Sequence, residues 1–184
     1  MGRLIQWNVM SLDGYFEGET KWALDWHGTL LNDEFHAFAL EQLQQAEALL
    51  FGRITYEGMA AYWQTATGDI AGYMNSLRKY VFSRRLKEAN WQNTTLVTED
   101  MVEAVRAIKR ATPRELYVFG SGMLSAALLE AGLFDEIRLA VAAIVLGKGT
   151  TLFGRELERT QMKLLEAHPL SNGCVILRYE PQAR

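Results

Sequence analysis

Glu115-Leu116-Tyr117-Val118-Phe119-Gly120-Ser121-Gly122-Met123-Leu124-Ser125-Ala126-Ala127-Leu128-Leu129-Glu130-Ala131-Gly132 is the stretch on which the fold turns. Leu116 to Phe119 form an apolar run with the β-branched and aromatic content of a buried strand. After Gly120-Ser121-Gly122 the apolar spacing becomes helical. Met123, Leu124, Ala127, Leu128 and Ala131 share one face, and Gly132 supplies a left-handed stop. A second apolar run, Ile137 to Leu146, follows. Strand, glycine turn, helix and strand make a βαβ-like unit, and such units bind ligands at the carboxyl end of the first strand. Two glycines there let a ligand approach the backbone, while the amides of the new helix favour an anion such as phosphate. A plain tight turn with Ser121 as N-cap accounts for the same three residues equally well.

Outward from this unit, the same order of strand, turn and helix recurs. Ala48 to Phe51 is a short buried strand ending in Gly52-Arg53-Ile54-Thr55, and the following helix carries Tyr56, Met59, Ala60 and Trp63 on one side. Arg53 either meets a phosphate or is a solvated surface residue. Gly68 to Gly72 reads as a polar loop and Tyr73 to Tyr80 as a short helix. Tyr80-Val81-Phe82 is the next strand, closed by Ser83-Arg84-Arg85. Two guanidinium forks beside a hydroxyl suit a phosphate monoester, against the plainer reading of a solvated basic turn.

The remaining segments complete the layout. Leu4 to Met10 is a first strand running into the turn Ser11-Leu12-Asp13-Gly14-Tyr15. Tyr15 to Leu31 reads as an ordered loop, since Phe16, Trp22 and Trp26 are costly to leave in water. Asn32 or Asp33 caps a helix reaching about Ala46, with Phe35, Phe38, Ala39, Gln42, Leu43 and Ala46 inward. Thr94 to Val97 is a strand, and Glu99 to Ala111 a helix with Met101, Val105 and Ile108 inward, ended before Pro113. Leu146 to Gly154 is a flexible loop with Lys148, in an order that does not match a phosphate loop. Met162 to His168 and Cys174 to Glu180 form an antiparallel hairpin. The expected fold is α/β and three-layered: a mostly parallel central sheet, helices on both faces and an antiparallel C-terminal hairpin.

A chain of 184 residues fits a single domain over 1–184, with an ordinary core. The formal charge of −3 argues against nucleic acid as the main partner. The lone Cys174 excludes an internal disulfide and a cysteine-rich zinc site. His27, His36 and His168 show no metal-ligand spacing, so no metal site is expected. No apolar run reaches the roughly 18 residues of a membrane helix. The amino terminus lacks a secretion signal, leaving the cytoplasm as the default location.

Taken together, Ser11-Leu12-Asp13-Gly14, Gly52-Arg53-Ile54-Thr55-Tyr56, Val81-Phe82-Ser83-Arg84, Phe119-Gly120-Ser121-Gly122-x-Leu124, Gly132-Leu133-Phe134-Asp135-Glu136-Ile137 and Leu146-Gly147-x-Gly149-x-x-Leu152-Phe153 carry a resemblance. The chain resembles the dihydrofolate reductase superfamily, and more closely the branch typified by the reductase domain of bacterial riboflavin biosynthesis. The resemblance implies NADPH as cofactor. Gly52, Arg53 and Thr55 would sit at its phosphates, and Ser83 and Arg84 at the adenosine 2′-phosphate. Gly120, Ser121, Gly122, Met123 and Leu124 would line the pyrophosphate and nicotinamide. It also implies hydride transfer to a small pteridine- or aminopyrimidine-like heterocycle, as in 5-amino-6-(5-phosphoribosylamino)uracil reductase, and a homodimer.

The acidic residue that dihydrofolate reductase proper places on its first long helix has no recognisable counterpart here. Asp13 is the candidate polar anchor near substrate, against a role satisfying turn amides. Asp25, flanked by Trp22 and Trp26, is the candidate proton donor if desolvation raises its pKa. A non-catalytic nucleotide-binding protein and a true dihydrofolate reductase stand as alternatives.

Overall fold

A computed structural model describes residues 1–153 and 157–182. Gly154, the last residue of the loop after Leu146, and the final two residues of the span 1–184 lie outside the described residues. Ten strands are present among the described residues: β1 (Arg3–Met10), β2 (Tyr15–Glu17), β3 (Ala46–Gly52), β4 (Arg78–Phe82), β5 (Thr94–Val97), β6 (Glu115–Phe119), β7 (Glu136–Val141), β8 (Thr150–Thr151), β9 (Met162–Pro169) and β10 (Val175–Pro181). The helices are α1 (Asp33–Gln45), α2 (Arg53–Trp63), α3 (Asp69–Ser76), α4 (Met101–Ala111) and α5 (Gly122–Glu130), with a 3₁₀ turn over Asp25–Leu30.

Eight strands form one sheet in the order β5-β4-β3-β6-β1-β7-β10-β9. The first six run parallel, and the closing hairpin β9–β10 joins antiparallel to β7. Buried side chains of α1, α2 and α3 pack on one face, around Trp7, Leu49, Phe51 and Tyr117. Those of α4 and α5 pack on the other, around Leu4, Leu50, Leu116 and Val118. The strands alternate between these layers because successive side chains leave opposite sides of the pleat. The expected three-layer fold is therefore present.

Local chemistry sets the helix ends. Asn32 accepts from the Phe35 amide and Asp100 from the Glu103 amide, so each caps its helix. Lys79, fully buried on β4, donates its ammonium to the carbonyls of Met74, Asn75 and Leu77, closing the end of α3.

Several boundaries differ from the sequence reading. α3 starts at Asp69, inside the segment read as a polar loop, and β4 already begins at Arg78, inside the stretch to Tyr80 read as a helix. Residues 15–31 hold a short strand and a 3₁₀ turn, and β2 pairs with β8 in a second, two-stranded antiparallel sheet. Two- and three-residue strands leave no periodicity to read. β7 stops at Val141 rather than Leu146, because the chain turns back to the end of β1: Ala142 donates to the Met10 carbonyl and Leu12 to the Ile144 carbonyl. Met123, placed by its spacing on the apolar face of α5, is 71 % exposed.

Candidate functional site

β3 and β6 are neighbours, yet the helix after β3 crosses one face and the helix after β6 the other. Their carboxyl ends thus mark a topological switch point, where a crevice opens in doubly wound sheets. β4 lies beside β3 on the other side, with Gly52 level with Phe82. The three turns singled out in the sequence follow three contiguous strands, β4, β3 and β6, along one margin.

Side chains cross-link the two turns at the switch point. The Ser121 hydroxyl accepts from the Gly52 amide at 2.9 Å, and the Ser121 amide donates to the Thr55 hydroxyl at 3.0 Å. Ser121 stands at the N-cap position of α5 in a left-handed conformation, φ 58°, and its side chain makes no capping bond. Of the two sequence readings, the serine cap is thus replaced by a cross-strand bond. Gly120 is also left-handed, and a Cβ there would stand 3.2 Å from Thr55 Cγ2. A Cβ on Gly122 would stand 2.6 Å from the Leu152 carbonyl oxygen. Both glycines are required by the protein's own packing, whatever approaches from outside. The first amides of α5 have no intrahelical acceptor and remain a donor set suited to an oxyanion.

A polar network that the sequence reading passed over lies beneath this turn. Gln6 and Asn8, two apart on β1, are buried on one face. Asn8 Oδ1 accepts from the Gly120 amide at 2.8 Å and from Gln6 Nε2 at 2.7 Å. The Ser125 hydroxyl bonds Gln6 Oε1 and the Gly120 carbonyl. The available signal was the pair of amide side chains at i and i+2 inside an otherwise apolar strand.

The basic residues are placed unevenly. Arg53 Nη1 bonds both carboxylate oxygens of Glu57, one helical turn on, at 3.0 and 2.8 Å. The Ser83 hydroxyl accepts from the amides of Arg85 and Leu86, folding the turn after β4. Arg84 is exposed in that turn. Exposed Met123 and Ile54 rim the same margin.

The two candidate acids occupy different settings from each other. Asp13, exposed, accepts from the amides of Leu146 at 3.1 Å and Gly147 at 2.7 Å. The Ser11 hydroxyl, joined by those amides, holds its carboxyl below the usual range, against the opposing effect of burial. It satisfies turn amides, those of the loop after β7 first and its own last. Asp25 is exposed at the start of the 3₁₀ turn, so the apolar enclosure expected from its tryptophan neighbours is absent. Of that pair, Trp26 is buried. Trp22 is left-handed, φ 64°, and its indole covers Gly58 of α2 so closely that a Cβ there would overlap it. His27, edge-on to Trp26, is pushed down to about 4 by burial, which outweighs the nearby Asp25 charge. It is neutral at physiological pH.

Two open clefts, of about 450 and 620 Å³, lie at the opposite, amino-terminal margin, beside Arg3 and Asp135 and beside Arg78, Asn93 and Arg114. Neither includes a sequence-predicted site residue. Strand topology, rather than concavity, locates the site. Among the described residues no group of three metal-ligating side chains is gathered, and no helix is long and apolar enough to cross a membrane.

Fold and margin together define a doubly wound α/β protein of the dihydrofolate reductase-like type. The chain belongs to the RibD C-terminal domain family, whose model matches residues 3–176. It is 27 % identical over 182 residues to YyaP of Bacillus subtilis (strain 168), an uncharacterized protein, covering 96 % of this chain and 94 % of that one. A diaminohydroxyphosphoribosylaminopyrimidine deaminase/5-amino-6-(5-phosphoribosylamino)uracil reductase from Thermotoga maritima superposes with a TM-score of 0.69 at 13 % identity. That match covers 98 % of this chain and 56 % of the Thermotoga chain. A dihydrofolate reductase from Enterococcus faecalis, complexed with NADP(H) and RAB-propyl, superposes with a TM-score of 0.63 at 14 % identity, covering 98 % and 97 %.

Proposed function

We propose that the protein is an NADPH-dependent reductase of a small pteridine- or aminopyrimidine-like heterocycle. The carrying observation is the switch point itself, where the turns after β4, β3 and β6 stand side by side. Their groups fit a dinucleotide in order: exposed Arg84 for a 2′-phosphate, Arg53 and the Thr55 hydroxyl for phosphate oxygens, with Gly52, its amide held by Ser121, letting the ligand approach the backbone, and the first amides of α5 for the pyrophosphate. When bound, the cofactor supplies the hydride. The chain's own residues hold and orient it, and Phe16 of β2, near Gly120, helps exclude water from the β1–β6 side. Arg53 serves this role by releasing Glu57, an exposed i,i+4 pair of small energetic weight.

The name of the Thermotoga relative and the NADP(H) complex of the Enterococcus enzyme support the reading. On it, Asp13 is a positioning residue for the loop after β7, while Asp25, exposed, lacks the apolar enclosure that a carboxyl proton donor needs at neutral pH. We also infer that residues 1–184 act as one domain and pair as a homodimer through the edge strand β9, which is exposed along its whole length. Nucleic acid and membrane are not partners on this reading, and the protein works in the cytoplasm.

A calorimetric titration with NADPH, followed by a panel of pteridines and aminopyrimidines, tests the proposal. Saturable NADPH binding and loss of its near-ultraviolet absorbance with one panel member are expected. Binding without oxidation across the panel would identify a non-catalytic nucleotide-binding protein instead, and turnover of dihydrofolate a true dihydrofolate reductase. Absence of NADPH binding overturns the proposal.

A further inference from the structure

Asn8 carries a hydrogen-bond donor that the protein itself leaves unused. The residue is 6 % exposed. Its Oδ1 is doubly engaged, by the Gly120 amide and by Gln6 Nε2, and because a backbone N–H only donates, the carboxamide has one orientation. Its Nδ2 has no hydrogen-bond partner among the described residues. Among the described residues the enclosed side-chain atoms without a partner are His27 Nε2, Gln42 Nε2 and Thr94 Oγ1, and Asn8 Nδ2 is not among them. The NH₂ group is therefore open. Ser125, by bonding Gln6 Oε1 and the Gly120 carbonyl, completes the lock and keeps Asn8 from turning to satisfy itself. Buried polar groups are almost always paired, so a locked carboxamide with a free, accessible end is a poised donor.

Its place on the sheet says what it would meet. β1 follows β6 in the strand order. Along the margin the donors therefore run from Arg84 after β4, through Arg53 after β3 and the first amides of α5 after β6, to Asn8 on β1. A dinucleotide whose adenosine end lies at Arg84 brings its nicotinamide end to β1. The anionic groups are already matched by the guanidinium groups and the first amides of α5; the carboxamide of Asn8 suits a neutral acceptor. Resting on the cofactor reading above, we propose that Asn8 Nδ2 donates a hydrogen bond to the carboxamide oxygen of the nicotinamide, and so fixes which part of the ring faces the substrate.

The test compares calorimetric affinities for NADPH and for 2′-phospho-ADP-ribose, which keeps the pyrophosphate and lacks the nicotinamide. Asn8→Asp retains the acceptor for Gly120 and Gln6 and removes the donor. NADPH is expected to weaken roughly tenfold, with 2′-phospho-ADP-ribose unchanged. Equal weakening of both ligands, the mark of charge repulsion or a deformed turn, overturns the assignment, and so does no weakening of either. The thionicotinamide analogue of NADPH probes the same contact without relying on the variant, because sulfur is the poorer acceptor. Wild-type protein is expected to bind it more weakly than NADPH, and equal binding counts against Asn8. If the wild type binds 2′-phospho-ADP-ribose, the cofactor site stands whatever becomes of Asn8. If it binds neither ligand, the cofactor reading fails and the Asn8 assignment with it.

Discussion

Ser121 adopts a backbone conformation that costs an L-residue about 1–2 kcal/mol, and its hydroxyl and amide offset that cost by tying β6 to the turn after β3. Ser121→Ala keeps the strain and strands the Gly52 amide, so a loss of about 1–3 kcal/mol in urea unfolding is expected. Ser121→Gly loses the same hydroxyl but relieves the backbone, and is expected to recover about 1 kcal/mol of it. Identical losses for both variants would show that the left-handed turn carries no strain. Arg84, exposed in its turn, is a residue the proposed function gives to the ligand rather than to the fold. Arg84→Ala is expected to weaken NADPH by about 1.5–3 kcal/mol while leaving NADH nearly unchanged. Equal losses for the two cofactors in parallel titrations would remove the 2′-phosphate role.

At the amino end of α5 the elements meet backbone against backbone. The amino end of α5 rests against residues 151–153, with Gly122 facing the Leu152 carbonyl. Gly122→Ala forces main chain apart on both sides, and a loss of about 1–3 kcal/mol is expected in the same unfolding measurement. Wild-type stability would mean that the segment after β8 moves freely from the helix. That segment is itself held from the other side. β8 pairs with β2, Asp13 clasps the amides of Leu146 and Gly147, and Lys148 meets Glu19 at 2.7 Å. The loop after β1 and the loop after β7 therefore behave as one ribbon beside the glycine turn, although 130 or so residues separate them in the chain.

Across the whole molecule, an alternating row of charges spans five strands. Arg3 bonds Glu115 and Glu136, Glu136 bonds Arg138 and Arg178, and Arg178 bonds Glu166 on the edge strand. Burial opposes the Glu136 charge, but hydrogen bonds and charges from Arg178 and Arg138 prevail and hold its carboxyl down to about 2, against an ordinary 4.5. The unfolded chain therefore takes up this proton first as pH falls. The contribution, on the order of 3 kcal/mol, is complete above about pH 4.5 and is lost on the way down to about pH 2. Urea midpoints at neutral pH and at about pH 3 are expected to differ more for the wild type than for Glu136→Gln; equal differences would assign acid sensitivity elsewhere. The row ends at β9, where Leu164 and Leu165 are 52 % and 42 % exposed. An edge strand of that kind is normally covered. Light scattering is expected to report a dimer, and a concentration-independent monomer would refute it.

How much of this was legible beforehand depended on how far apart the cooperating residues lie. Periodicity alone determined β1, β3 to β6, α4, α5 and β10, because each buries a face whose spacing is written locally, while β9 followed from the turn between Pro169 and Gly173. Order along the chain further determined that strand ends bearing Gly52-Arg53, Ser83-Arg84 and Gly120-Ser121-Gly122 belong to one kind of site. Only the tertiary structure decided that Ser121 bonds Gly52 rather than capping its own helix, that Asp13 serves the loop after β7, and that Asn8 lies under Gly120. Those partners come from strands brought together by crossovers, and a hydrogen bond between residues 69, 133 or 112 positions apart leaves no trace in local spacing. Hydrophobic pattern is a property of a segment; the partner of a polar atom is a property of the fold.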